Sequence, residues 1–295
     1  MQTACLAQAV CFGAAYVKAD EIKFGKTAMD DLIKTCVAPL FVPATRPDRF
    51  AKAVQSGADA IIIDFEDAVS ESDKTTARDR LMRNDLPQYP ILFRVNAVAS
   101  TWFKDDVETI VKLGQRCVLL PKAETVGDIA AVRRINTQIQ IVAIVETAKG
   151  MANARALAMA GVERLAFGSL DYCLDLGCAH ERDAMLAARS ELVLASRLAG
   201  LPPPLDGVTV EIGQDEKLFS DAGYAASLGF GGKLCIHPSQ IAHVKNAFAP
   251  SERDIERAEK ILTLSKDGIA MVDGAMVDAP VRLRAKAILS RANKV

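Results

Sequence analysis

No apolar run in the chain approaches the ~18 residues that span a bilayer, so a transmembrane helix is not expected. Charge of one sign is not in surplus either: 36 Lys plus Arg stand against 37 Asp plus Glu, interspersed, for a net charge near −1. Neutralising phosphates needs a basic excess on some face, and nucleic acid is therefore set aside as a partner. Cysteine occurs seven times, at positions 5, 11, 36, 117, 173, 178 and 235, an odd number without a Cys-x-x-Cys pair. A disulfide scaffold is excluded on that count, and the reduced cytoplasm is the default location. Cys117 and Cys235 lie inside apolar runs, where cysteine behaves as a small buried hydrophobe. The three histidines, His180, His237 and His243, are too scattered for a zinc site. The first 17 residues are uncharged and lack the positive n-region of a secretory signal, so residues 1–36 read as a poorly ordered or loosely docked extension.

What the chain does have is a repeated theme. Of its 295 residues 50% are hydrophobic and 25% charged, the balance of an ordinary globular protein. From about residue 38, short β-branched apolar runs alternate with segments of helical periodicity, which argues for parallel strands. Strands are expected at 39–43, 59–65, 91–95, 117–121, 140–146, 164–169, 206–212 and 233–238. Eight such units predict a (β/α)8 TIM barrel over residues 37–247. An open doubly wound sheet is disfavoured by that number and by the lack of a Gly-x-Gly-x-x-Gly turn after the first strand. Met185, Ala188, Leu192, Ala195 and Ala199 repeat as one helical stripe that Gly200 and Pro202 end. Residues 248–295 form a C-terminal helical arm, entered through Ser251 and Asp254 as a capping box and broken by Asp267, Gly268 and the turn DGAMVDAP. Such an arm must cover a surface, its own barrel's or a neighbouring subunit's, which raises the expectation of an oligomer.

Sites in these barrels lie at the carboxyl ends of the strands, and this chain places charge there repeatedly. Asp64, Glu66 and Asp67 end the second strand, Arg94 and Asn96 the third; Lys122 follows the fourth, Glu146 closes the fifth, Ser169 and Asp171 follow the sixth, and His237 the eighth. Arginine inside ILFRV is expensive to bury unless acceptors surround it, so Arg94 with its acidic neighbours is either a polar mouth built for chemistry or a structural ion-pair network. Glu146 and Asp171 end adjacent strands, and their carboxylates should converge on one hard cation, for which Mg²⁺ is the natural candidate.

The stretches LFVPATRPDRFAKAVQSGADAIIIDFEDAV, FRVN, LLPKAE, IVAIVETAKG, FGSLDYCLDLG, LGFGGKLCIHPSQI and DGAMVDAP resemble the citrate lyase β-subunit-like proteins, relatives of the malyl and citramalyl coenzyme A lyases. The resemblance runs from about Leu40 to the last helix and implies a barrel of the phosphoenolpyruvate/pyruvate type. It also implies a Mg²⁺-dependent lyase that cleaves or forms a short 3-hydroxy-3-carboxyacyl thioester, acting as a homotrimer. By the same resemblance Glu146 and Asp171 are the metal ligands, Arg94 the substrate arginine, and Glu66 and Asp67 the acidic pair beside the metal. Asp278 in MVDAP matches an acid supplied by a neighbouring subunit near the thioester methyl group. Lys74 and Arg78 open the helix after the second strand, where they either meet coenzyme A phosphates or form a solvated face. Two departures stand out: Leu170 replaces the glutamate relatives often carry before the metal-binding aspartate, and Ala38 and Pro39 enter the first strand where polar or basic residues are common. The competing readings are a Schiff-base aldolase using Lys122 or Lys233, a thioesterase on the same scaffold, and a non-catalytic thioester-binding subunit.

Overall fold

A computed structural model of the chain describes residues 32–265 and 270–292. Eight parallel strands follow one another in chain order: β1 (Leu40–Pro43), β2 (Ile61–Asp64), β3 (Ile91–Arg94), β4 (Cys117–Leu120), β5 (Gln140–Val145), β6 (Arg164–Phe167), β7 (Leu205–Asp206) and β8 (Gly232–Lys233). The sheet then closes on itself, because Phe41 N donates to Cys235 O and Cys235 N to Pro39 O, each at 2.9 Å. Closure leaves the eight-stranded sheet without a free edge strand, and the expected (β/α)8 barrel is the architecture observed. Among the described residues no helix is long and apolar enough to cross a membrane, and no disulfide forms.

Strand periodicity sorts the side chains into two cores. Ile62, Leu92, Leu119, Ile144 and Ala166 pack together inside the barrel. Their neighbours Ile61, Ile63, Phe93, Val118, Val145 and Phe167 pack outward under the helices. One further step of two along the inward row reaches Asp64, Arg94, Glu146 and Gly168, so a polar layer lies directly above the apolar one. The Arg182–Leu198 helix buries Met185, Ala188, Leu192 and Ala195, the stripe expected from its spacing.

Three boundaries differ from expectation, and one is the eighth strand, expected over 233–238 but observed as Gly232–Lys233. The seventh strand was expected over 206–212, yet only Leu205–Asp206 pairs with its neighbours. Gly207 lies so close to the sixth strand that a Cβ there would meet Ser169 Oγ at 2.1 Å, and the chain leaves the sheet at that point. Residues 32–36 are not part of a loose extension: Ile33 and Cys36 are buried in the inner core, and residues 32–35 form a helical turn. Arg164, 1% exposed at the start of β6, donates to Ile33 O at 2.9 Å, Cys36 O at 2.7 Å and Pro203 O at 2.7 Å. A buried guanidinium thereby ties this segment across the amino-terminal end of the barrel, while residues 1–31 lie outside the described residues.

The arm is more than two helices. Ser251 Oγ accepts from Asp254 N at 3.1 Å and starts the helix Glu252–Leu264; the stop read at Asp267 and Gly268 lies outside the described residues. Where a plain turn was expected, an antiparallel hairpin of β9 (Ala270–Val272) and β10 (Ala275–Val277) forms before the helix Ala279–Ala292. Asp273 and Gly274 at its tip take φ of 51° and 75°, the two left-handed residues that a tight hairpin requires. Ala258, Ile261, Val272, Val277 and Ala285 give the arm a small core of its own.

Replacing Arg164 by Met should leave three buried carbonyls without their shared donor and destabilise the fold by on the order of 3 kcal/mol. Urea denaturation checks this, and an unchanged midpoint would rule out Arg164 as the tie across the barrel floor.

Candidate active site

The carboxyl ends of the strands surround a cavity of about 400 Å³ lined by Asp64, Arg94, Glu146 and Asp171 on its polar side and by Phe41 and Val208 on its apolar side. Arg94 organises the polar half. Its Nε and Nη2 reach Asp64 at 2.8 and 2.6 Å, and its Nη1 lies 3.2 Å from Glu66 and 3.1 Å from Asp67. The guanidinium also stacks 4.8 Å from the Phe41 ring. Burial alone would lower the arginine pKa, but the bonds to Asp64 and the field of Glu66 and Asp67 hold it well above its ordinary value.

Lys122 carries the second positive charge. Its ammonium contacts Glu66 at 2.8 Å and Asp171 at 3.5 Å, while its backbone N–H donates to Glu146 Oε1 at 2.7 Å. Lys122 itself adopts φ 48°, a left-handed conformation uncommon outside glycine. Burial would depress the lysine pKa, but its bond to Glu66 and the charges of Glu66 and Glu146 raise it. An ammonium held this way is a poor Schiff-base nucleophile. Lys233, the other lysine weighed for that role, is 2% exposed and bonded to Asp206 at 2.9 Å.

Five carboxylates thus meet two cations around one cavity. Two of the carboxyls are raised, chiefly by burial. Burial, and then the like charges of Glu66 and Asp171, push the Glu146 carboxyl up to about 8. Burial likewise raises Glu66, whose Oε2 is enclosed without a hydrogen bond although Arg94 is close. The donors are hard oxygens, with Glu146 at the end of β5 and Asp171 in the first turn of the helix Ser169–Leu176. No cluster of three His, Cys, Asp or Glu ligands forms among the described residues. Two carboxylates in a surplus of negative charge suit a magnesium ion, which completes its shell with water or substrate oxygens.

A family model described as HpcH/HpaI aldolase/citrate lyase matches residues 38–238. The chain belongs to the HpcH/HpaI aldolase/citrate lyase family. A second model, for carbon–carbon bond lyases of the TIM-barrel fold, matches residues 211–294 and so takes in the arm. The citrate lyase subunit beta-like protein of Mycobacterium tuberculosis is 34% identical over 265 residues, covering 86% of this chain and 95% of that protein. A (3S)-malyl-CoA thioesterase of Cereibacter sphaeroides is 30% identical over 270 residues, covering 87% and 94%. Among solved structures, CitE from Mycobacterium tuberculosis in complex with magnesium, acetoacetate and coenzyme A superposes with a TM-score of 0.80 at 33% identity, covering 88% of this chain and 98% of that one.

The structure brings Arg94, Glu66, Asp67, Glu146 and Asp171 to one mouth and places the remaining candidates elsewhere. Lys74 and Arg78 do not form a solvated face, and their charged ends are committed to the protein. Lys74 Nζ donates to the carbonyls of Phe65 and Glu66 at 2.7 Å each, bracing the loop that carries Glu66 and Asp67. Arg78 Nη1 donates to the fully buried Asp106 at 2.8 Å, and its guanidinium stacks 5.3 Å from Trp102. Both therefore stabilise the mouth from below instead of offering free cations to coenzyme A phosphates. Asp278 is in the arm, where its Oδ1 accepts from Val281 N at 3.2 Å and caps the last helix; it does not line this chain's own cavity. Leu170 does line it, half-exposed beside Asp171.

Three residues matter that motif reading left without a role. Asp64 is the bidentate partner of Arg94, and its position one strand period above Ile62 was the available signal. Asp106 accepts from Arg78 and from Asn96 N and Nδ2, at 2.9 and 2.6 Å, with no pattern in the surrounding helix to announce it. Gly168 makes room for Glu146: a Cβ there would lie 2.0 Å from Glu146 Oε2. Gly168→Ala should therefore displace the Glu146 carboxylate and destabilise the fold by about 1–3 kcal/mol. Chemical denaturation together with a crystal structure of the variant checks this, and an unmoved Glu146 in a variant of full stability would refute the close approach.

Proposed function

We propose that the chain is a Mg²⁺-dependent carbon–carbon lyase acting on a short 3-hydroxy-3-carboxyacyl thioester such as malyl, citramalyl or citryl thioester. The observation that carries this reading is the cavity in which Glu146 and Asp171 adjoin an arginine already locked in place by Asp64. Glu146 and Asp171 would hold the ion. When bound, magnesium supplies a Lewis acid that draws electron density from the substrate's carboxylate and hydroxyl oxygens.

The chain's own groups then have distinct tasks. Arg94, unable to swing because Asp64 and Phe41 hold it, offers fixed positive charge where the keto acid and enolate develop theirs. Lys122 orients Glu146 through its backbone N–H and balances Glu66 and Asp171 through its ammonium. Glu66 and Asp67 order water around the centre. As the carbon–carbon bond breaks, the substrate hydroxyl passes its proton to water ordered by Glu66 and Asp67, its C–O becomes the carbonyl of a 2-keto acid, and the departing acetyl thioester enolate takes a proton at carbon from the protonated Asp278 carboxyl, which solvent then reprotonates. Asp278 reaches the reacting carbon from a neighbouring protomer of a homotrimer. That assignment is supported by an arm with its own core and with Met271, Met276 and Leu283 at least 60% exposed. A coenzyme A thioester is the favoured carrier, supported by the coenzyme A complex of the mycobacterial relative. The second reading, thioester hydrolysis at the same site, is supported by the malyl-CoA thioesterase relative.

Purified protein incubated with malyl and citramalyl coenzyme A should release keto acid without free thiol, and chelator should abolish the release. Free thiol in its place would make the chain a hydrolase. Arg94→Ala should lower kcat/KM by about 10²–10³-fold and also lower the thermal midpoint, because Asp64, Glu66 and Asp67 lose their shared counterion. If Asp278 works across subunits, inactive Glu146→Ala and Asp278→Asn proteins, unfolded and reassembled together, should recover activity that neither shows alone. Failure of every mixture to recover would overturn the assignment of Asp278 to a neighbouring protomer's site.

A further inference from the structure

A second cavity, of about 420 Å³, shares the Val208 wall with the first. Two buried cations, Arg189 and Lys233, line it, and both are bonded to the buried Asp206. Asp206 accepts from Arg189 Nε and from Lys233 Nζ, each at 2.9 Å, and the three side chains are 0%, 6% and 2% exposed. One carboxylate facing two cations leaves a net positive charge in the interior; Lys233 Nζ finds a second acceptor in Gly207 O at 2.5 Å, and Arg189 does not. The other charged groups at this cavity do not supply one. Arg182 is paired with Asp221 and Lys217 with Glu211, and Glu181 and Asp183 are exposed to solvent.

The unsatisfied atom can be named. Arg189 spends Nε and Nη2 on Asp206, while Nη1 is buried with no hydrogen-bond partner. The guanidinium lies 5.7 and 5.8 Å from the centres of the Phe167 and Tyr224 rings and is held by Asp206 through Nε and Nη2, which sets the direction of Nη1. His180, on the same cavity and bonded to Ser169 Oγ at 2.9 Å, is held toward its neutral form by burial and then by Arg189 and Lys233.

We propose that this second cavity is a binding site for a small oxyanion, a carboxylate or a phosphate, held by Arg189 Nη1 and by the excess positive charge of the Arg189, Asp206 and Lys233 triad. An oxyanion supplies the acceptor and the countercharge together, and guanidinium groups pair with such ions through directed N–H bonds. The site is independent of the lyase reading, since none of its three charges lines the carboxylate cavity.

Calorimetric titration of the full chain with inorganic phosphate, and separately with succinate, both at constant ionic strength, tests the site. Arg189→Met is the informative variant because it leaves Asp206 and Lys233 as a neutral pair. Saturable binding to the wild type, weakened about tenfold or more in Arg189→Met at an unchanged ligand-free melting temperature, supports the proposal. Saturation by phosphate alone identifies a phosphate site, and by succinate alone a carboxylate site. If Arg189→Met does not fold, Arg189→Lys keeps the charge without the free Nη1 and should weaken binding about threefold or more. Binding within about twofold of wild type in the folded variant, or no saturable binding of either anion, overturns the proposal.

Discussion

Carboxylates crowd the mouth of this barrel because inward-facing positions run out of apolar core one residue pair before the strands end, and Arg94 is the counterion that makes the crowding tolerable. It reaches Asp64 with two nitrogens and Glu66 and Asp67 with a third. Removing it would leave like charges facing one another in a partly desolvated cavity, where repulsion is strong. Its own immobility comes from below, since Asp64 also accepts the N–H groups of Glu66 and Ala68, at 2.9 and 3.1 Å. The arginine and the loop it organises are therefore fixed by the same carboxylate.

The opposite wall is set by backbone geometry. The left-handed turn at Lys122 aims an N–H at one oxygen of Glu146, and the missing side chain of Gly168 leaves room beside the other. Such positions are costly for stability but hold a carboxylate in one orientation before any ligand arrives, which is the condition for effective electrostatic chemistry. The negative charge left over after Arg94 and Lys122 are counted against five carboxylates is the physical basis for reading the site as a cation site, while burial is the main cause of the raised Glu146 and Glu66 carboxyls.

A different charge balance holds at the adjoining cavity. There Asp206 is outnumbered by Arg189 and Lys233, so two neighbouring compartments of one barrel carry opposite surpluses. Val208 lines both, and the hydrogen bond between Ser169 Oγ and His180 Nε2 connects their walls. The short seventh strand permits this arrangement, because the chain departs from the sheet at Gly207 and exposes the space the second cavity uses.

The amino-acid sequence by itself determined the barrel, since strand and helix periodicities are local and eight alternations admit few closed packings. It also determined which acidic and basic groups stand at the strand ends, because a period of two carries an inward row from Ile62 to Asp64, from Leu92 to Arg94 and from Ile144 to Glu146. Tertiary structure alone decided what those charges do. Lys74 and Arg78 look like solvated helix residues in one dimension, and only packing against the Phe65 carbonyl and Asp106 turns them into braces. Residues 32–36 read as a loose extension until Arg164, more than 120 residues away, bonds their carbonyls. Ion pairing and close approach depend on contacts between distant segments, which no local pattern encodes.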